Sequence, residues 1–320
     1  MTLPALRERT CPCCGNRRMH PEVRASQPAE AMTLEALRPF WTGLRQGKPF
    51  FTYHRCLICR MLFCATYFDD AQLADLYSAM APNMEAVAGD AIAATQRGYY
   101  AAARAYGVGT GDYLEIGPDV GHVVRSAVAE GSFGHLHLFE PNRAVHPQLA
   151  LAAGKCPATI RADLHDLAAV PDGSIGLAVM IHVLDHLIDP LATLATVHRK
   201  LRGGGTLLVV THNEASLLRR IMGNRWPPFC LQHPHLFNPG TMAGMMQRVG
   251  YRDCSVSRSV NHFPIDFLAR QAFEAMGIHL RALPLPGRSI ALRLGNILAL
   301  ARKPDHPAAA KTPASEARAV

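Results

Sequence analysis

The stretch Asp112-Tyr113-Leu114-Glu115-Ile116-Gly117-Pro118-Asp119-Val120-Gly121-His122 sets the reading of the whole chain. Residues 113–116 form a short, mainly apolar run suited to a buried strand. Residues 117–121 make a tight glycine loop, and residues 123–129 have helical composition from the start. Strand, glycine turn and helix in that order predict the first unit of a nucleotide-binding α/β sheet. Glycine is needed in the loop because a Cβ would hold the backbone off a ligand and disfavour φ > 0.

The loop also discriminates between ligands. The dinucleotide pattern G-x-G-x-x-G needs glycine at 119 and 122, where Asp119 and His122 stand, so NAD or FAD fits poorly. An acidic-x-G-x-G-x-G pattern finds Glu115, Gly117 and Gly121, with Asp119 in place of the middle glycine. Outward from the loop, strand and helix signals alternate. Residues 136–141 predict a second strand with Glu140 and Pro141 at its carboxyl end, about 20 residues past the loop, where a carboxylate can accept both ribose hydroxyls. Residues 142–153 predict a helix, 156–160 a third strand, and 174–181 a near-continuously apolar fourth strand of the central parallel kind. Gly203-Gly204-Gly205 introduces a fifth strand over 206–210.

The glycine loop, Glu140 and the phrase "VLDHLIDP…HRKLRGGGTLLVV" together resemble the class I S-adenosylmethionine (SAM)-dependent methyltransferases. The resemblance covers nearly the whole chain. It implies a Rossmann-like, mostly parallel sheet whose last strand, in "LRLGNILALARKP", is antiparallel. It also implies a cofactor site built from Glu115, Gly117, Pro118, Asp119, Gly121, Glu140 and Pro141. Asp163 and Leu164 would stand near the adenine amino group, with Asp166 a rival, and His182 would pack on the cofactor. One departure is plain: where the family has an acid near the start of strand four, this chain has Ile175-Gly176-Leu177-Ala178.

Four of the nine cysteines fall in two C-x-x-C knuckles, Cys11/Cys14 and Cys56/Cys59. Such knuckles place four thiolates on tight turns where a tetrahedral zinc can gather them, with no coordination position left for chemistry. A helix over 33–37 and strands at 50–53 and 61–63 are expected around the second knuckle, and Cys64 reads as core. The architecture is similar to that of methyltransferases with an N-terminal zinc module, seen also in C-methyltransferases of nucleotide-linked sugars, which generally carry a further C-terminal domain.

The expected division is a zinc ribbon at 1–68, a helical linker at 69–109, the SAM-dependent domain at 110–303 and a disordered tail at 304–320. The linker holds a short helix over 71–80, capped by Asp69 or Asp70, and a longer one over 84–106. Hydrophobic content of 49%, charged content of 18% and the absence of a run near ~20 apolar residues describe a globular, cytoplasmic protein without a membrane span. The net charge of +8 is scattered, so nucleic acid is not the expected partner.

Chemistry is expected at the end of strand four and in the Trp-, Pro- and His-rich segment 225–237. His182, Asp185 and His186 stand at i, i+3 and i+4, so a helical turn would gather them on one side. In the ubiquinone-type O-methyltransferases the matching positions carry a Glu-x-x-Glu-His cluster resembling a metal site. Here a histidine and a shorter carboxylate replace the acidic pair, which favours a metal-free active site. His186 and His233 are the candidate bases, His233 being preferred to His235. The first-ranked function is SAM-dependent O- or C-methylation of a small molecule. A methyltransferase acting on RNA or protein ranks second, and an inactive SAM-fold binding protein last.

Overall fold

The computed structural model describes residues 6–41, 48–78, 89–130, 133–269 and 288–305. Its centre is a seven-stranded sheet: β1 (Gly111–Ile116), β2 (Phe133–Phe139), β3 (Ala158–Arg161), β4 (Ile175–Ile181), β5 (Leu201–His212), β6 (Arg252–Arg258) and β7 (Asn296–Arg302). The spatial order is β3-β2-β1-β4-β5-β7-β6, with β7 antiparallel to both its neighbours and the rest parallel. The order reverses between β1 and β4, and the crevice at their carboxyl ends is where ligands of such sheets bind.

Helices cover both faces. On one, α1 (Gly89–Tyr106), α2 (His122–Ala129) and α3 (His146–Ala153) bury Tyr99, Tyr100, Val123, Val124 and Leu149 against Tyr113, Leu136 and Leu138. On the other, α4 (Pro190–Lys200) and α5 (Pro239–Val249) bury Leu194, Val197, Met242, Met245 and Met246 against Leu114, Ile116 and Met180. α5 starts in a capping box, Asn238 with Thr241, and stops at left-handed Gly250. β5 begins earlier than its apolar run suggests, because the triple glycine lies within the strand at a register shift between Leu201 and Thr206.

The N-terminal hairpin Tyr53–Cys56 and Leu62–Cys64, with Met19–Val23, forms a four-stranded sheet whose fourth strand is His235–Leu236. Its aromatic core contains Trp41, Phe50, Phe51, Tyr53, Tyr67 and Phe68, and is completed by Trp226, Phe229, Leu231 and Leu236. The expected helix over 33–37 is Leu34–Leu37 with Thr33 as its N-cap. The first linker helix is Asp70–Ser78, capped by Asp69 in exchange with Gln72. The ends of both linker helices between 79 and 88, and the tail from 306, lie outside the described residues. Among the described residues, no helix is long and apolar enough to cross a membrane.

Candidate functional site

The glycine loop closes through Gly121 N–H donating to Pro118 O at 2.9 Å, with φ of +70° at Gly117, +49° at Asp119 and +77° at Gly121. A Cβ on Gly117 would lie 2.5 Å from Val183 Cγ2, and one on Gly121 2.7 Å from Ala152 Cβ. The loop is therefore pressed between α3 and the turn after β4. Asp119 tolerates the left-handed conformation better than most residues, which explains how it can stand where the family has glycine.

Glu140 ends β2 with both carboxylate oxygens in use. Oε2 accepts from Asp119 N–H at 2.9 Å and Oε1 from Asn142 N–H at 2.8 Å, so the side chain ties the glycine loop to the second strand. Burial raises the pKa of Glu140, against the pull of those two amides. Glu115 is 1% exposed and accepts from the Tyr113 hydroxyl at 2.6 Å. Burial raises it to about 8 despite that bond. Asp163 is exposed after β3, accepts from His165 N–H and caps the short 3-10 helix Leu164–Ala169, with Leu164 packed on the core.

The residues after β4 do not form the expected helical turn. His182 has φ of +51°, a conformation incompatible with helix entry, and residues 183–186 make a tight turn through His186 N–H to Val183 O. Helix α4 starts only at Pro190, where Asp189 caps Ala192. The three residues therefore split into two groups that share Asp185: His182 with Asp185 and His212, and Asp185 with His186 and His233. Within each group the potential ligand atoms lie within 4.8 Å of one another. The His182 and His212 rings are 4.5 Å apart, and His186 meets His233 edge-on at 4.6 Å.

His186 and His233 form a hydrogen-bonded chain. Their Nε2 atoms are 3.1 Å apart, Tyr77 Oη lies 3.4 Å from His186 Nδ1, and His233 Nδ1 donates to Pro228 O at 2.7 Å. Burial works against charge on His233, but Cys230 Sγ, 3.2 Å from its Nδ1, together with Asp185 and Pro228 O, outweighs it and raises the pKa to about 9. Burial, and then the charge of His233, pushes His186 down to about 3. The pair is thus split in proton affinity, the arrangement in which neighbouring groups hold and hand on a proton. His235 does something else: its Nε2–H donates to Leu184 O at 2.9 Å in a fully buried setting.

Tyr77, His212, Cys230 and Asn296 belong to this site and were not singled out by sequence pattern. His212 could have been found as the polar residue closing apolar β5. Tyr77 and Asn296 carry no such signal, since each arrives from an element remote in sequence.

At the N-terminus, Cys11, Cys14, Cys56 and Cys59 converge, with Sγ separations of 3.4 Å for Cys11–Cys59 and 3.6 Å for Cys14–Cys56. Both knuckles turn through a left-handed residue, Gly15 at +71° and Arg60 at +65°. The module is anchored to the main sheet by Arg55. It is 6% exposed and pairs with Glu214 at 2.6 Å and Glu22 at 2.7 Å. Tyr53 donates to His233 O at 2.7 Å, Tyr67 donates to Leu231 O, and Arg9 donates to Pro234 O at 3.0 Å.

A methyltransferase-domain family model matches residues 68–256, more than half of the chain. No curated protein matches the sequence. Among solved structures, the chain is similar to a SAM-dependent methyltransferase from Archaeoglobus fulgidus. The two are 16% identical over 65% of this chain and 94% of that one, with a TM-score of 0.44. A Mesorhizobium loti SAM-dependent methyltransferase is 19% identical over 63% and 96%, with a TM-score of 0.42. A complex of the Haloferax volcanii Trm112 methyltransferase activator with a methyltransferase gives 16% over 68% and 94%, with a TM-score of 0.48. The chain belongs to the methyltransferase-domain family, and it is a SAM-dependent methyltransferase of the class I fold.

Proposed function

We propose that this methyltransferase acts on a small-molecule acceptor held at the carboxyl ends of β4 and β5, under the segment 226–237. The observation that carries this reading is the enclosure of the acceptor side. Trp226, Phe229, Cys230, Leu231 and His233 are all buried, and within this segment Cys230 and Pro228 hold the His233 ring against His186. A polymer would need that face open. Gly117, Pro118, Asp119, Gly121, Glu140 and Pro141 would hold SAM, with Asp163 and Leu164 toward its adenine and His182 toward its methyl group. Glu115 supports the loop from inside. Transfer is an in-line displacement on the sulfonium methyl, driven by positioning and exclusion of water. His186 takes the proton of a hydroxyl or carbon acid at Nδ1 when the acceptor displaces Tyr77 from it, with His233 holding the ring from Nε2, a contribution of about 10²–10⁴ in rate.

The four cysteines fit a structural zinc. Their separations are near the span of sulfurs about 2.3 Å from one ion, and four thiolates leave it no open position. The ion would hold the ribbon together, and the chemistry of methyl transfer stays with the main domain.

The test is release of S-adenosylhomocysteine on incubation with SAM and pooled metabolites, run beside total RNA and unfolded protein. Turnover with a metabolite fraction, lost in His186→Ala and His233→Ala, is the expected result. Turnover only with RNA or protein would overturn the small-molecule reading.

A further inference from the structure

We propose that His182, Asp185 and His212 form a binding site for one divalent transition-metal ion, distinct from the four-cysteine cluster. Asp185 is 0% exposed, and neither of its oxygens has a hydrogen-bond partner among the described residues. A buried carboxylate without donors is costly unless a cation faces it. His233 meets Asp185 by charge but not by a hydrogen bond, so both oxygens keep lone pairs for an ion. His182 Nδ1 is likewise buried and without a partner among the described residues. The rings of His182 and His212 lie side by side, and one nitrogen of each falls within 4.8 Å of a carboxylate oxygen of Asp185.

The neighbouring pair explains why the ion belongs on this side of Asp185. Tyr77, Pro228 and the contact between His186 and His233 occupy the ring nitrogens of that pair. The unmet groups lie on His182 and on Asp185 itself. Asn296 spans the two rings of the proposed site, with Oδ1 3.1 Å from His212 Nδ1 and Nδ2 3.3 Å from His182 Nε2. The first bond fixes His212 as the Nδ1–H form and leaves its Nε2 bare for an ion. As it stands, the Asn296 Nδ2 amide donates to His182 Nε2. Ligation of His182 through Nδ1 moves the ring proton to Nε2 and requires Asn296 to shift until its oxygen faces both rings. Asn296 is then the outer partner that metal-bound imidazoles regularly have.

Two imidazoles and one carboxylate suit Zn²⁺, Mn²⁺, Fe²⁺ or Co²⁺ better than a hard ion such as Mg²⁺. Three protein ligands leave positions open, and His182 and His212 are both half-buried rather than sealed in the core as Asp185 is. Resting on the methyltransferase reading above, the structure assigns those positions to an oxygen of the acceptor, which selects acceptors with a hydroxyl or carbonyl near the methylated atom.

The test is titration of full-length, zinc-loaded protein with Co²⁺, read by visible d–d absorption, with SAM affinity measured in parallel by calorimetry. The wild type should bind one Co²⁺ without the near-ultraviolet thiolate charge-transfer band. His212→Ala and Asp185→Asn should weaken that binding about tenfold or more, with SAM affinity kept. Asn296→Asp should tighten it, since a carboxylate accepts from both rings. His212 is less buried than Asp185, so its variant decides the matter if Asp185→Asn does not fold. Absence of this cobalt signal in wild type that binds SAM would overturn the site, as would a signal unchanged by His212→Ala. A signal lost in His233→Ala but kept in His212→Ala would overturn this ligand set. Cobalt binding without any SAM binding would support the metal site and count against the function proposed above.

Discussion

Glu140 would carry two loads, because the carboxylate proposed to meet the ribose already accepts the amides of Asp119 and Asn142. Glu140→Ala should therefore weaken SAM binding by about tenfold or more, the size of a lost charge-assisted bond of roughly 1.5–3 kcal/mol. Calorimetry against SAM and its demethylated product measures this, and an unchanged affinity would remove Glu140 from the cofactor site. The buried histidines make a second claim. Burial pushes His235 down to about 3, and burial together with His233 does the same to His186. In the unfolded chain each titrates near 6.5, so between about 6.5 and 3 the unfolded state holds protons that the native state refuses. Stability is thus fully present above that window and falls as pH drops through it. The depressed carboxyl of Asp185 adds the same sign at lower pH. Urea denaturation at pH 7 and pH 5 should show the decline, and His235→Gln should flatten its slope by up to one proton.

Gly121 shows how tightly the elements around the loop are fitted. A methyl there meets Ala152 and Leu149 at 2.7 and 2.9 Å, on a backbone with φ of +77°. Gly121→Ala should cost about 1–3 kcal/mol for overpacking and about 1 kcal/mol more for the left-handed backbone, read as a lower denaturation midpoint. The ion pair of Arg55 with Glu214 joins the N-terminal hairpin to the end of β5, with side chains 7% and 4% exposed. Among the described residues, Arg55→Met leaves the buried Glu214 carboxylate with Asn238 as its one side-chain donor, and should cost about 3 kcal/mol or more. These elements differ in how plainly the sequence announces them. The glycine loop, β2 and β4 were legible because each is a local apolar run ending at a turn or a carboxylate. The turn at 182–186 was not, since its helix-like spacing is overridden by one left-handed histidine. Nor was the partnership of His212 and Asn296, because two neighbouring strands that are far apart in sequence bring them together.

At the scale of the molecule, the four-cysteine module and the segment 226–237 are one packing unit. The segment carrying His233 donates a strand to the ribbon sheet, pairing His235 with Phe63 and Leu236 with Leu62. A self-contained ribbon over residues 1–68 would loosen alone on losing an ion from its four cysteines. The shared sheet predicts a wider effect. Cys59→Ser should speed hydrogen exchange at Leu62–Cys64 and across 228–237 together, while β1 and β4 keep their protection. Exchange confined to the first 68 residues would show that the two parts open separately. The same sheet constrains how the protein is made. As the chain leaves the ribosome, its first hairpins emerge early but lack an edge strand and part of their aromatic core. Both arrive only once Leu236 is synthesised, so the N-terminal knot is completed after the strands of the central sheet from β1 to β5 have already appeared.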